Sequence, residues 1–328
     1  MANIDDVAKS ANVSRSTVSR VLLNSKNVKE STRQRILETI EKMNYRPNAS
    51  ARSLAAKKNF TIGIISGYAL NDPFYSVIAE EICNACSEHN YGTLISVRSN
   101  SETTNEKQID MMFGKVDAYV FLGLKTFCRK DVDYLVNKNI PVVLFKSGES
   151  VDGAITIDID NVKSSAMAVD YLVQKGHNRI AFMYGDVTNY ETVLRTAGYK
   201  QALKNNNITF EQSLMFEGKF SYHSAYKLAK EIIESGADAL FCESDVMAHG
   251  AIKGLMDLKY TIPGDIAVMG FDNIKFNNFE SFIQLTTVNQ PLSEMGRYIA
   301  ETLIMQIEKK STGSKKLFET NIIERKTV

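Results

Sequence analysis

Apolar positions change their spacing along the chain. Ile4, Val7, Ala8 and Ala11 recur at i, i+3, i+4 and i+7, as in one helix with a single buried face. Asn12-Val13 interrupts the run, and Ser14 then caps a second helix with apolar positions at Val18, Val21 and Leu22. Two short helices and a tight turn predict a helix-turn-helix. A third helix is expected from Ser31, with Ser31 and Gln34 as a capping box and Ile36, Leu37, Ile40 and Met43 buried. Pro47 to Ala56, Pro-Asn-Ala-Ser-Ala-Arg-Ser-Leu-Ala-Ala, predicts a further helix capped by Asn48 and built on strong helix formers. At about nine residues it falls short of the roughly 12 to 15 needed for marginal stability alone in water. It should form only when something docks against it, which is the behaviour of a hinge.

From Phe60 onward short apolar runs alternate with helical patterns. Strands are expected at Thr61 to Ser66, Gly92 to Val97, Ala118 to Leu122 and Pro141 to Phe145, with helices at Phe74 to His89, Asn105 to Gly114 and Asp131 to Asn139 between them. A second set follows, with helices at Asn161 to Lys175, Tyr190 to Asn206, Tyr222 to Ser235 and Val246 to Leu258. Its strands are Arg179 to Tyr184, Leu214 to Glu217, Ala239 to Cys242 and Ala267 to Phe271. A last helix starts at Pro291, and a final strand is expected from Leu317 to Arg325. Near-continuous apolar strands joined by helices imply parallel sheets covered on both faces. The predicted class is therefore α/β: a small all-α head over residues 1–46, a hinge and linker over 47–59, and a two-lobed body over 60–328. Lobe one takes about 60–160 and 292–328, and lobe two about 161–291. Two doubly wound lobes place the C-terminal ends of their strands around one cleft, where a small molecule is expected to bind.

Composition supports a globular chain, with 44% hydrophobic and 23% charged residues in 328. Charge changes the picture more. The net value of +1 hides a head, residues 1–58, with 12 Lys and Arg against 5 Asp and Glu, leaving 27 basic and 33 acidic residues for the rest. A basic head on an acidic body is the footprint of a nucleic-acid-binding module joined to something else. The hydroxyl and arginine cluster on the second helix suits phosphate positioning and base-edge readout in the major groove.

Other classes find little support. The N-terminus carries no basic segment followed by an apolar run, and no stretch approaches 18 apolar residues, so a cytoplasmic protein without a membrane span is expected. A stand-alone sugar-binding receptor would need a signal peptide and no basic head. Cys83-x-x-Cys86 lacks a second pair or nearby histidines, so no metal is expected, and no cofactor either. The four histidines are scattered without a nucleophile, metal or phosphate motif, which argues against an enzyme.

Asp6-Val7-Ala8, Val13-Ser14-Arg15-Ser16-Thr17-Val18-Ser19-Arg20-Val21-Leu22, Thr32-Arg33, Tyr45-Arg46-Pro47-Asn48 and Ala51-Arg52-Ser53-Leu54 resemble the LacI/GalR family of bacterial transcription regulators. The resemblance implies that Arg15, Ser16 and Arg20 face bases in the major groove. Ser14, Thr17, Ser19, Tyr45 and Asn48 would touch the backbone, Arg52 would add to the DNA contact, and Leu54 would wedge into the minor groove beside its twin. Double-stranded operator DNA with pseudo-palindromic half-sites, a homodimer and a small-molecule effector are the implied partners. A repressor of carbohydrate genes is the implied function, with a purine or sugar phosphate as the alternative effector. A subgroup of the family docks a phosphorylated carrier protein, which these residues neither support nor exclude.

The family's sensor domain resembles periplasmic sugar-binding proteins, so Phe74 would stack on the effector while Arg195 and Asp272 hydrogen-bond it. The post-strand turns Asn71 to Tyr75, Lys146-Ser147, Asp158-x-Asp160-Asn161, Tyr184-Gly185-Asp186, Arg195-x-x-Gly198-Tyr199, Glu243-Ser244-Asp245 and Gly270 to Asn273 are where the ligand is expected, and they add Asp72, Asp160, Ser244 and Asp245 as candidates. The duller alternatives are that Asp160 or Asp272 caps a helix or turn and that Phe74 or Leu54 belongs to a core. Ser244 and Asp72 stand where many family members have Asn, which leaves the ligand's identity open.

Overall fold

The computed structural model describes residues 2–22, 27–45, 53, 56–68, 72–97, 105–123, 128–274, 283–309 and 315–328. The chain divides into two compact units, one formed by residues 1–60 with 114–117 and the other by 61–113 with 118–328.

The first unit holds α1 (Ile4–Ser10), α2 (Arg15–Leu22) and α3 (Glu30–Lys42). Asn3 caps α1 by accepting from the Asp5 and Asp6 N–H groups at 2.8 and 3.0 Å, and the Asp6 carboxylate accepts from Asn3 N–H at 2.9 Å. This is a reciprocal capping box. The box expected at Ser31 is not formed: α3 begins a residue earlier, behind Lys29, without a side-chain cap. Glu30 in its first turn complements the helix dipole instead. Val7, Ala8, Ala11, Val18, Val21 and Ile36 form the core, with Ile40, Met43 and Tyr45 packed against it. Each fully buried Val or Ile contributes about 1.5–3 kcal/mol. Leu37, expected inside, is 45% exposed because it lies one position beyond the face centred on Ile36. The turn between α1 and α2 is closed by Asn12 at φ +50°, a conformation Asn tolerates better than most residues. In the same unit the Asp117 carboxylate accepts from Asn59 N–H at 2.8 Å and Phe60 N–H at 2.6 Å. Of the hinge stretch, Ser53 and Ala56 are described and helical. Asn48, Arg52 and Leu54 lie outside the described residues.

The second unit contains two six-stranded sheets. The first orders its strands β11-β5-β4-β3-β1-β2 and is parallel throughout. Its strands are β1 (Thr61–Ser66), β2 (Gly92–Val97), β3 (Ala118–Leu122), β4 (Val142–Phe145), β5 (Ile155–Ile159) and β11 (Lys316–Phe318). Helices α4 (Pro73–Glu88), α5 (Asn105–Met112), α6 (Arg129–Asn137) and α12 (Leu292–Ile307) accompany it. The second sheet runs β12-β10-β9-β8-β6-β7, with only β12 antiparallel. It is built from β6 (Ile180–Tyr184), β7 (Met215–Glu217), β8 (Ala239–Cys242), β9 (Ala267–Asp272), β10 (Thr286–Asn289) and β12 (Asn321–Ile323). Its helices are α7 (Asn161–Gln174), α8 (Tyr190–Asn205), α9 (Tyr222–Lys227), α10 (Ala229–Glu234) and α11 (Asp245–Asp257). Strands β3, β4, β5, β8 and β9 are buried along their whole length, as sheets covered on both faces require.

Three features differ from the sequence expectation. β5 and β10 are additional strands, and the helix expected over 222–235 is two helices meeting at Leu228. The final strand expected over 317–325 is two strands, one in each sheet, so residues 321–328 belong with the second lobe rather than the first. Thr327 ties that tail down: its carbonyl accepts from Val268 N–H at 2.8 Å and its hydroxyl from Thr286 N–H at 2.8 Å. The chain thus crosses between sheets three times, after β5, β10 and β11. At the last crossing the Thr320 and Ser164 hydroxyls lie 2.7 Å apart and Lys163 donates to Glu319 at 3.0 Å.

Candidate functional site

Two surfaces carry the chemistry, one in each unit. In the head, Val18 and Val21 face the core, which turns Ser14, Arg15, Ser16 and Arg20 outward, with Thr17 and Ser19 half-buried. The Ser14 hydroxyl sits 2.8 Å from both the Ser16 and Thr17 hydroxyls and accepts from Thr17 N–H at 3.2 Å. One helix face therefore presents linked hydroxyls flanked by two arginines. Arg15 lies 3.6 Å from Asp5, an exposed pair that costs little to exchange for a phosphate. Tyr45 is partly buried against the head core, so any backbone contact falls to its outer edge.

In the body, the C-terminal ends of strands from both sheets surround a cavity of about 360 Å³. Its first wall is aromatic. Asp72 caps α4 by accepting from Phe74 and Tyr75 N–H at 3.0 and 3.2 Å, which fixes the Phe74 and Tyr75 rings at the helix entrance. Tyr68 stacks on Tyr75 with centroids 3.8 Å apart and planes 6° apart. From the other sheet, Phe220 closes over Gly185, where a Cβ would stand 2.0 Å from the ring; only glycine allows this approach.

The second wall is ionic. Arg195 on α8 is 3% exposed, with its guanidinium 3.9 Å above the Phe271 ring. It donates to Asn161 Oδ1 at 3.0 Å, to the Glu243 carbonyl at 2.6 Å and to Glu191 Oε1 at 3.4 Å. Lys146, fully buried at the end of β4, donates to Glu191 across the lobes, and its ammonium lies 5.5 Å from the Phe74 ring centre. Beside it the Tyr190 hydroxyl donates to Asp158 at 2.5 Å, a second bond between lobes. Burial opposes the charge on Glu191, but Lys146 and Arg195 outweigh it and hold its carboxyl below the ordinary value. Burial dominates at Glu243, pushed up to about 7, and raises Asp272 well above the usual carboxylate range. Asp272 sits at φ +118°, a conformation rare for L residues, and accepts from Gln290 Nε2 at 2.6 Å.

Asp72, Phe74, Arg195, Ser244 and Asp272 all line this cavity. Ser244 does so while capping α11, its hydroxyl accepting from Met247 N–H at 3.3 Å. Asp245 stands behind the wall, accepting from the Thr287 hydroxyl at 2.6 Å and Ile274 N–H at 2.8 Å. Asp160 is not brought to the cavity: it is an exposed cap of α7, accepting from Lys163 N–H at 2.9 Å, and borders a separate surface groove with Met167 and Tyr171. The post-strand turns already pointed to Tyr75 and Asp186 in the lining and to Lys146 beneath it, while Tyr68, Glu191, Lys219 and Phe220 were missed. Glu191 was within reach, since it stands four residues before Arg195 on the same helix.

Among the described residues no cluster of His, Cys, Asp and Glu could hold a metal ion, and no helix is long and apolar enough to cross a membrane. Cys86 is buried, and Cys83 Sγ lies 3.2 Å from the Thr93 hydroxyl.

Comparison with known proteins gives the same two parts. The family model "Bacterial regulatory proteins, lacI family" matches residues 3–48, and "Periplasmic binding protein-like domain" matches 169–328. Catabolite control protein A of Priestia megaterium is 34% identical over 318 residues, covering 95% of this chain and 94% of its own. The HTH-type transcriptional repressor PurR of Vibrio atlanticus is 32% identical over 337 residues, covering 100% and 99%. Among solved structures, the transcriptional regulator CelR in complex with cellobiose superposes with a TM-score of 0.71 at 26% identity, covering both chains fully. The lac repressor dimer bound to operator and an anti-inducer shares the fold, with a TM-score of 0.80 at 24% identity over 99% of this chain and 98% of that one. These relatives are regulators rather than enzymes, and the chain belongs to the lacI family of bacterial regulatory proteins, a DNA-binding transcription regulator with a periplasmic-binding-protein-like body.

Proposed function

We propose that the chain is a repressor of carbohydrate genes, controlled by a sugar or sugar-like polyol in the cavity between the lobes of the body. The observation that carries this is the pairing of an aromatic wall, Phe74 with Tyr68 and Phe220, with a hydrogen-bonding wall, Arg195 with Asp272 and Asp186. Apolar ring faces cover the C–H face of a sugar, while fixed donors and acceptors match vicinal hydroxyls. The relatives named for catabolite control and the cellobiose complex of CelR favour the same class. Operator binding falls to the outward face of α2, with Arg15, Ser16 and Arg20 toward bases and Ser14, Thr17, Ser19, Tyr45 and Asn48 toward phosphates. Arg52 and the Leu54 wedge complete it. A single recognition helix per head calls for a homodimer on a pseudo-palindrome, working in the cytoplasm where the DNA is.

Purines form the second reading, favoured by the PurR relatives and by the stacked rings. A thermal-unfolding screen of the full chain against neutral sugars, sugar phosphates and purines separates the two. A ligand at 100 times its Kd stabilises the native state by about 2.7 kcal/mol. A neutral sugar should raise the transition; stabilisation by purines alone would move the assignment to the second reading.

A further inference from the structure

The cleft seals in two cations, and the protein neutralises both with a carboxylate of its own. Lys146 is fully buried and Arg195 nearly so, and Glu191 stands between them, accepting from Lys146 Nζ and, at 3.4 Å, from Arg195 NH2. Glu191 is 7% exposed and is part of the cavity wall. A buried charge without a counter-ion is expensive, so a cavity built for an anionic ligand leaves its cations for the ligand to satisfy. This cavity does the reverse. Asp158, 3.8 Å from the Lys146 ammonium, adds a second carboxylate from the other lobe. The remaining cation of the lining, Lys219, is an exposed residue 3.8 Å from Glu217, while Asp72 and Asp186 supply further acid groups.

Resting on the reading of this cavity as the effector site, we infer that Glu191 sets its specificity. It occupies the position that an effector's anionic group would take, so the cavity accepts uncharged polyhydroxylated ligands and rejects sugar phosphates and sugar acids. Like-charge juxtaposition inside a desolvated pocket is the discriminating force. Lys146 is a positioning residue: it holds the Glu191 carboxylate in place across the lobes and touches no ligand.

The test uses the full-length protein with inorganic phosphate as the anion probe, against chloride at matched ionic strength. Thermal unfolding and the phosphorus NMR line width of phosphate are the readouts. Wild type should show no saturable effect. Glu191→Gln keeps the side-chain shape but leaves Lys146 and Arg195 under-neutralised, so phosphate should stabilise it and broaden. Adding Arg195→Met should abolish both effects. In parallel, neutral sugars are compared on wild type with their phosphate esters and uronic acids, and each anionic member should bind at least about tenfold more weakly, a step of 1.4 kcal/mol.

Saturable phosphate binding to wild type that Arg195→Met removes would overturn the inference, as would a folded Glu191→Gln that ignores phosphate or esters that match their neutral counterparts. If Glu191→Gln fails to fold, the wild-type phosphate and ester measurements decide alone. If no sugar of either kind binds, the effector reading fails while the phosphate result still scores Glu191.

Discussion

Replacing Lys146 by Met tests whether the bond between lobes is as costly to break as its burial implies. The substitution keeps an unbranched side chain of similar length and removes only the charge. Lys146 is fully buried, and its loss leaves Glu191 with Arg195 at 3.4 Å and takes the ammonium away from Asp158 as well. Removing one partner of a buried ion pair costs about 3–5 kcal/mol, chiefly because the other charge stays desolvated. In wild type the Glu191 carboxyl is held below its unfolded value, so it contributes stability that is present above that value and lost as pH falls through the folded one. Without Lys146, burial becomes the larger influence and the folded value rises above the unfolded one. The gap between wild type and variant should therefore be largest at high pH, narrow as pH falls through the variant's raised value and close only below the wild-type folded value, which lies under the ordinary glutamate value of about 4.3. Urea unfolding across pH measures this. Adding Glu191→Gln should recover about 1 kcal/mol or more of the loss, as coupled neighbours do. A deficit under about 1 kcal/mol, or one that does not change with pH, would refute the reasoning, since a solvated pair is worth no more than that.

Three further outcomes are expected. Arg20→Ala should weaken operator binding by about 1–3 kcal/mol and relax preference at one base position per half-site, measured by titrating a panel of single-base operator variants. Leu54→Ala should reduce operator bending in a circular-permutation gel assay, and unchanged curvature would remove the wedge. Gly185→Ala places a Cβ 2.0 Å from the Phe220 ring, so Phe220 must leave its position at the cavity; sugar affinity should drop at least about tenfold while operator binding without sugar stays at the wild-type level.

The head was legible because its helices are short, regular and built on one apolar face, so Val7, Val18 and Ile36 fall where the spacing puts them. Its errors concern local competition: Glu30 and Ser31 can each begin a helix, and the earlier one does so here. Of the two strands that escaped notice, one is polar. Thr286-Thr287-Val288-Asn289 reads as a loop, yet it is buried because Thr287 satisfies Asp245 and the Thr286 hydroxyl accepts from Arg325 N–H. Arg195, Asp272 and Phe74 were found from resemblance and strand-end position. Lys146 was marked by its place after a strand, but its burial was not legible, since a lone lysine there is ordinarily solvated and its partner Glu191 comes from the other lobe 45 residues away. Asp160 illustrates the converse. Its strand-end position was right, but capping α7 points it outward.

Control of operator binding from the cleft is tested most directly by titrating operator with full-length wild type and with Asp272→Asn, with and without the sugar that stabilises the wild-type body. Asp272 is buried in the cavity wall and held by Gln290, and Asn preserves its shape while replacing one acceptor oxygen by a donor. Without sugar the two proteins should bind operator equally. Sugar should shift the wild-type Kd by about 5- to 150-fold, the usual range of coupling between linked sites, and leave Asp272→Asn unmoved. A variant that responds to the sugar as wild type does, or that loses operator binding in its absence, would contradict control through this cleft.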